Sequence, residues 1–434
     1  MKKMRFNPPF FYGWIILGIC FLAEFSLGMG SVTIGLFFKP ISDTFGWSLT
    51  ELTGAVTAQG LLALAISPLV GILLDRFGPR PVMLFGALTA GFGFILLMQI
   101  EHIWQFWVLY AVVGAMGLGE LGGITAPVAV AKWFIRMRGR AMAVTTSGVT
   151  IGGAVFSPLV GFLIASVGWR NTWGIMGIGL LIVMVPIVGL FMRRQPEDLG
   201  LLPDGDSRVV ENGSQEAIKN TNSFSEVPSW TLKSAFRNRT FWILILVLNL
   251  AHFTGPVSTL HVVPFFTLQK GLSAQFAGQI LALRLMASTL GRIMWGFLVD
   301  RISTQLCLIL LLAARSMGII FLVIAPYPFN AVLFLVSTGF FGGPLSFLQP
   351  MILSNYYGRR YIGSIQGAVR PFLAVSQLAG PLFIAVLFDS TGSFDFAFVL
   401  AGGLGLLAAF GAIFATPPKW KLSSEENEIP NLND

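Results

Sequence analysis

Long apolar runs separated by short polar breaks dominate this chain, and each run approaches or exceeds the roughly 20 residues that a helix needs to cross a bilayer. They are drawn at about 12–38, 50–74, 81–99, 104–132, 139–166, 169–192, 239–268, 273–300, 306–325, 330–356, 362–389 and 394–416. The pattern predicts an all-α membrane protein of twelve transmembrane helices. One long polar stretch, from about Arg193 to Arg239 with Pro196, Pro203, Gly205, Asn212 and Gly213, splits the runs into two sets of six and reads as a flexible linker. The expected division is a six-helix half over 1–192, a cytoplasmic linker over 193–238, a second six-helix half over 239–416 and a cytoplasmic tail over 417–434.

The two halves look like copies. A basic-glycine cassette ends an apolar run twice, as Gly71-Ile-Leu-Leu-Asp75-Arg76-Phe-Gly78-Pro-Arg80 and as Gly296-Phe-Leu-Val-Asp300-Arg301. Pro127 answers to Pro350 and Pro158 to Pro381, both at an offset of 223. Two copies of a membrane bundle facing one another imply a central pathway, the architecture of a carrier.

Charge fixes the expected orientation. With 55% hydrophobic and 11% charged residues the chain belongs in lipid rather than in water. Twenty-one lysines and arginines fall at the ends and in the even-numbered loops, against three (Lys39, Arg170 and Lys270) on the opposite face. Positively charged loops stay inside during insertion, so both termini are expected in the cytoplasm of a bacterial-type inner membrane. The formal charge of +8 is then topological, and no nucleic-acid partner is expected. Lys2, Lys3 and Arg5 before an apolar run mimic a signal peptide, but that run is too long and should stay as a helix.

Nothing argues for an enzyme, a metal or a cofactor. Cys20 and Cys307 both fall inside spans without metal or redox spacing, and His102, His252 and His261 form no His-x-x-x-His pair. Gly117-Leu-Gly119-Glu-Leu-Gly122 matches a dinucleotide fingerprint, but no strand precedes it, and close helix packing explains it better. Small residues at Gly148, Gly152, Gly339 and Gly343 read the same way.

Charges inside the spans carry the functional argument, because an ionised side chain at the bilayer centre is costly and is kept mostly with a partner or a watery cavity. By depth, Glu24, Glu120, Arg284 and Arg315 fall near the middle, with Arg370 and Arg292 in the inner half. Guanidinium groups suit a carboxylate, since the planar fork gives two parallel hydrogen bonds and keeps its charge. A small organic anion is the expected substrate. Glu24 and Glu120 have two readings, as fixed internal partners of arginines or as acceptors of a coupling proton. His252 and His261 either relay protons or pack within their helix.

The whole chain resembles the major facilitator superfamily through the cassette Gly71 to Arg80, the twelve spans and the central linker. Further features resemble its monocarboxylate transporter and oxalate:formate antiporter branch. They are Tyr12-Gly13-Trp14, Phe37-Phe38-Lys39, Trp133-Phe134 followed by Arg138-Gly139-Arg140, Arg292-x-x-x-Gly296, and Gly380-Pro381 followed by Asp389-x-Thr391-Gly392. The resemblance implies alternating access and favours Arg292 as the substrate ligand, whereas depth alone favours Arg284; Arg370 is the second candidate, and a monomer is expected. It places Arg315 at the periphery, in an ion pair. It implies gating by Gly71, Asp75, Arg76, Gly78 and Arg80, with less from Asp300 and Arg301, because the second cassette lacks the glycine and second basic residue. Where animal monocarboxylate transporters have a lysine and an aspartate for proton handling, this chain has Val32 and Ser288. The expected activity is symport of a monocarboxylate such as lactate or pyruvate with a proton. Exchange of the oxalate:formate type is the alternative within transport, and a transporter-like solute sensor the alternative outside it.

Overall fold

The computed structural model describes residues 10–205, 230–255, 261–271, 274–326 and 328–418. Among the described residues, twelve long helices are found, some of them broken. The first, α1 (Gly13–Phe45), runs past the predicted end through Lys39 and Pro40 and stops at Gly46, whose φ of +73° closes the last turn on the Ser42 carbonyl. Helix α2 (Leu49–Phe77) starts on a reciprocal cap, in which Ser48 Oγ accepts from the Glu51 amide and the Glu51 carboxylate accepts from the Ser48 amide. Gly78, at φ +82°, turns the chain into α3 (Pro79–Leu97), which begins with the proline that a first helical turn tolerates. Next come α4 (Ile103–Trp133) and the stretch Arg138–Phe191, which Gly168 breaks into α5 and α6.

The second set repeats the first. Helix α7 covers Arg239–Phe253 and resumes at Val262–Gln269, with residues 256–260 outside the described residues. Helices α8 (Ala274–Leu298), α9 (Thr304–Ile324), α10 (Phe329–Tyr357), α11 (Ile362–Thr391) and α12 (Asp395–Ile413) complete it. The duplication extends to irregularities. A π-helical segment begins at Val112 in α4 and another at Leu335 in α10, and 335 minus 112 is 223, the offset of Pro127 and Pro350. Wide turns of this kind let an apolar helix bend without leaving backbone groups unpaired in lipid.

Helices within each set pack through small residues. A Cβ on Gly148 would lie 2.6 Å from the Phe21 carbonyl oxygen and one on Gly152 2.1 Å from that of Phe25, so α1 and α5 approach as only glycine permits. Gly117 packs on Ala90 and Gly122 on Ala23, as expected for helix packing rather than a nucleotide loop. Outward faces carry bare apolar side chains, including Phe162, Ile182, Leu246 and Phe329, the surface a lipid-embedded bundle requires.

The two sets meet along α2 with α11 and along α5 with α8. At the cassette end the junctions are built alike. Asp75 accepts hydrogen bonds from the amides of Gly363 (3.0 Å) and Ser364 (2.6 Å), in the first turn of α11. Asp300 accepts from the amides of Gly139 (2.6 Å) and Arg140 (3.3 Å), in the first turn of α5, and pairs with the Arg140 guanidinium at 2.9 Å. Each aspartate therefore caps a helix belonging to the other half, where free amides and the helix dipole favour an anion. The shortened second cassette keeps the residue that makes the contact, so the expected asymmetry is absent from the aspartates. Arg76 and Arg301 are exposed, and Arg80 donates to the Gly189 carbonyl within its own half.

Both ends of the linker are docked rather than loose. Asp204 accepts from the amides of Ile135 (3.0 Å), Arg136 (2.7 Å) and Met137 (3.2 Å), which tie the segment 196–205 to the turn before α5. On the other side, the Trp230 amide donates to the Tyr357 carbonyl before a short helix, Leu232–Phe236. Residues 206–229 and the tail beyond residue 418 lie outside the described residues.

Candidate substrate cavity

Between the halves lies a cavity of about 550 Å³, large enough for a small organic molecule with water. Its walls differ in chemistry. The first half contributes Glu24 together with small and apolar side chains such as Leu27, Gly60, Ala63 and Val149. The second contributes Arg292, Arg370, His252, Gln349, Gln366 and Gln377. An acid faces a basic, amide-rich wall.

Arg370 projects from α11 across the interface to α4. A Cβ on Gly123 would stand 3.4 Å from its Nη2, so the guanidinium packs directly against this stretch of α4. No described residue accepts a hydrogen bond from it. Arg292, from α8, is committed. Its Nη1 donates to Thr150 Oγ1 (2.6 Å) and to the Thr146 carbonyl (3.3 Å) of α5, and its Nε to the Gly343 carbonyl at 3.4 Å. Arg292 thus ties the halves together at the cavity, while Arg370 is the cation with its fork free.

Glu24 and Glu120 are each 4% exposed, and both lie in the field of Arg370, with Arg292 also acting on Glu24. Neither carboxylate forms an ion pair within 4 Å with a described residue, and Glu120 Oε2 is buried without a hydrogen-bond partner. The acids and Arg370 therefore face each other across a gap. Glu120 stands behind the wall rather than on it.

His252 is held at both ring nitrogens. Gln377 Nε2 donates to Nδ1 (3.0 Å), which makes Nδ1 the acceptor and leaves Nε2–H to donate to Gln349 Oε1 (2.9 Å). With the amides so oriented, the ring is neutral and fixed in one tautomer. His261 instead bonds the Pro381 carbonyl at 3.2 Å, away from the cavity.

Arg284 is not in the cavity. Its side chain runs under α10, where a Cβ on Gly339 would meet its Cγ at 3.4 Å, and it is 7% exposed. Depth arithmetic failed here because it locates a residue along the membrane normal and says nothing about which helix face it occupies. Arg315 is likewise buried inside the second half, without the ion pair expected for it among the described residues. The amides Gln349, Gln366 and Gln377 and the hydroxyls Thr146 and Thr150 were missed. Their signal was present as uncharged hydrogen-bonding side chains in runs that are otherwise apolar.

Two bundles of six helices, closed against each other at one end around a charged cavity, define a membrane carrier. The chain belongs to the major facilitator superfamily, whose profile matches residues 20–377 and 271–431. A probable sulfoacetate transporter of Cupriavidus necator is 25% identical, over 93% of this chain and 94% of its own. Monocarboxylate transporter 12 of Rattus norvegicus is 25% identical over 90% and 82%, and the oxalate:formate antiporter of Oxalobacter formigenes 24% identical over 91% and 91%. Among solved structures, the human organic anion transporter MFSD10 covers 94% of this chain with all of its own, at a TM-score of 0.69 and 16% identity. The proton:xylose symporter XylE does so at 0.69 and 14%, over 94% and 96%. The fold and the branch are thus those the sequence motifs resemble.

Proposed function

We propose that the protein carries a small carboxylate-bearing anion across the membrane by alternating access, with Arg370 as its principal ligand and Arg292 beside it. The single observation that supports this most is the uncommitted Arg370 fork, facing Glu24 across the cavity without contact. A carboxylate in that gap would receive parallel hydrogen bonds from the guanidinium. Its charge would press on Glu24, which makes Glu24 the group to take up a proton as the anion binds. On this reading the substrate is a monocarboxylate moved in symport with a proton. The test is uptake of labelled lactate and pyruvate into proteoliposomes holding only this protein, with and without an imposed pH gradient. Accumulation that ignores the gradient would remove the symport reading. Exchange of the oxalate:formate type is the second reading, and Val32 and Ser288 favour it, because they replace the charged pair of the animal monocarboxylate transporters. Counterflow of oxalate against formate in the same vesicles separates the two.

The cassette end is assigned to the cytoplasm. Cysteines placed at Lys39 and Arg360, exposed at opposite ends, provide the check, since native Cys20 and Cys307 are buried. In intact cells an impermeant maleimide should label the Lys39→Cys protein and leave Arg360→Cys untouched. The reverse pattern would invert the assignment.

The aspartate caps act as the gate at that end. Loss of a helix cap costs about 0.5–2 kcal/mol, so Asp75→Ala or Asp300→Ala should shift the open-to-closed ratio by roughly 2- to 30-fold. Accessibility of a cysteine at Thr150 from the cassette side reports that shift. Equal effects from the two variants are expected, and a silent Asp300→Ala would restore the one-sided gate.

A further inference from the structure

The second half holds four arginines in the interior of its helices and almost no acid to balance them. Between Arg239 and Thr416 the acidic residues are Asp300, Asp389 and Asp395. Asp300 caps α5, Asp395 accepts from Gln269 Nε2 at 2.7 Å, and Asp389 follows the apolar part of α11. Glu24 lies in the field of Arg370 and Arg292 at the cavity, and Glu120, behind its wall, in that of Arg370, so those four charges balance. Arg284 and Arg315 are left over. They are 7% and 8% exposed, and the Nε of each is buried without a hydrogen-bond partner. Arg284 donates to no described residue, and Arg315 reaches only the Ala251 carbonyl, at 3.4 Å. Both side chains lie against one face of the broken helix α10, Arg284 at Gly339 and Arg315 at Gly342, where Cβ atoms would stand 3.4 Å from Cγ and 3.5 Å from Cδ. Arg315 lies in the field of Arg284, and Arg284 in that of Arg292.

Guanidinium groups do not shed this charge by losing protons. Two buried cations packed against one helix, each with an unpaired Nε and no acid paired with it among the described residues, call for an anion that the second half does not supply. We propose that Arg284 and Arg315 hold one small monovalent anion of halide size inside the second half, apart from the substrate cavity. Nε–H of each arginine would donate to it. The Ala251 carbonyl, in the last turn of the first segment of α7, offsets part of the remaining charge, because a helix end of that sense is partly negative. The bound anion is then a structural constituent that keeps α8, α9 and α10 packed, with no part in the transported stoichiometry.

The test uses the full chain in nanodiscs, melted in chloride, bromide or gluconate at matched ionic strength. Wild type should melt higher in either halide, with a saturable dependence, and the gain should vanish in Arg284→Gln and in Arg315→Gln. Arg370→Gln should keep it. In gluconate, Arg315→Gln should melt no lower than wild type, since it removes a charge that nothing then compensates. Should either variant fail to fold, labelled chloride on wild type alone decides, with one ion expected per chain and no displacement by saturating lactate. Absence of binding, survival of the halide effect in Arg284→Gln or Arg315→Gln, or its loss in Arg370→Gln would overturn the assignment. None of these outcomes bears on carboxylate transport, which rests on other residues.

Discussion

Arg370→Gln is expected to raise the KM for the transported anion at least about 30-fold while the protein stays folded and membrane-inserted. The basis is the fork that no described residue engages, so removing it breaks no internal hydrogen bond. Truncating one member of a desolvated charge pair costs about 2–5 kcal/mol, and each 1.4 kcal/mol is a factor of ten. Arg370→Lys should recover only part of the loss, because an ammonium is a point charge without the paired donors. Arg292→Lys should behave differently. Its guanidinium bonds Thr146 and Thr150 of the opposite half, so replacement should alter the rate of conformational exchange along with affinity. Arg284→Gln, outside the cavity, should leave KM unchanged. Uptake kinetics in proteoliposomes measure all four. A normal KM in Arg370→Gln would remove it as the principal ligand.

The second large effect is expected at Glu24. Glu24→Gln should abolish accumulation driven by a pH gradient yet preserve counterflow of the same anion, since exchange proceeds with the site permanently neutral. Its melting temperature should hold. That last expectation comes from the structure: Glu24 touches no guanidinium, so no contact pair is broken by its loss. A fixed internal pair would behave otherwise, because removing one member strands a buried charge and destabilises by about 3–5 kcal/mol. Joint loss of exchange and stability would therefore sink the proton-carrier role and move attention to Glu120. His252 is a weaker candidate, because protonating it would force the Gln377 amide to turn.

Most of the fold was legible because bilayer thickness imposes a length on every apolar run, and a duplication repeats landmarks at a fixed offset. Irregularities were not. The π-helical segments of α4 and α10 read in sequence as apolar helix, and the glycines of the first, Gly117 to Gly122, as close helix packing rather than a wider turn. Docking of the linker was hidden for a similar reason. Asp204 reads as one acid in a polar stretch, and the amides it binds belong to residues nearly 70 positions earlier. Within the site, charged residues could be picked out because charge is costly in lipid. Which of them share a cavity depends on helix rotation. That is why Arg292 and Arg370 line it and Arg284, eight positions from Arg292 on the same helix, does not.

The latches at the cassette end set an uneven tolerance to mutation. Each latch has two main-chain amide donors, which every residue except proline supplies, so Ser364 can vary while its latch persists, and Arg140 can vary with loss only of its guanidinium pair to Asp300. Gly363 and Gly139 cannot, since a Cβ on either would lie 2.6 Å from the Gly71 carbonyl oxygen or 2.3 Å from Val299 Cγ1. The acceptors are equally constrained, because only a short carboxylate reaches both amides at once. A saturation library scored for transport should therefore show four intolerant positions, Asp75, Gly363, Asp300 and Gly139, each beside a permissive one. Drift in this carrier is channelled to the second donor of each latch, where a side chain can change without loss of the ability to close.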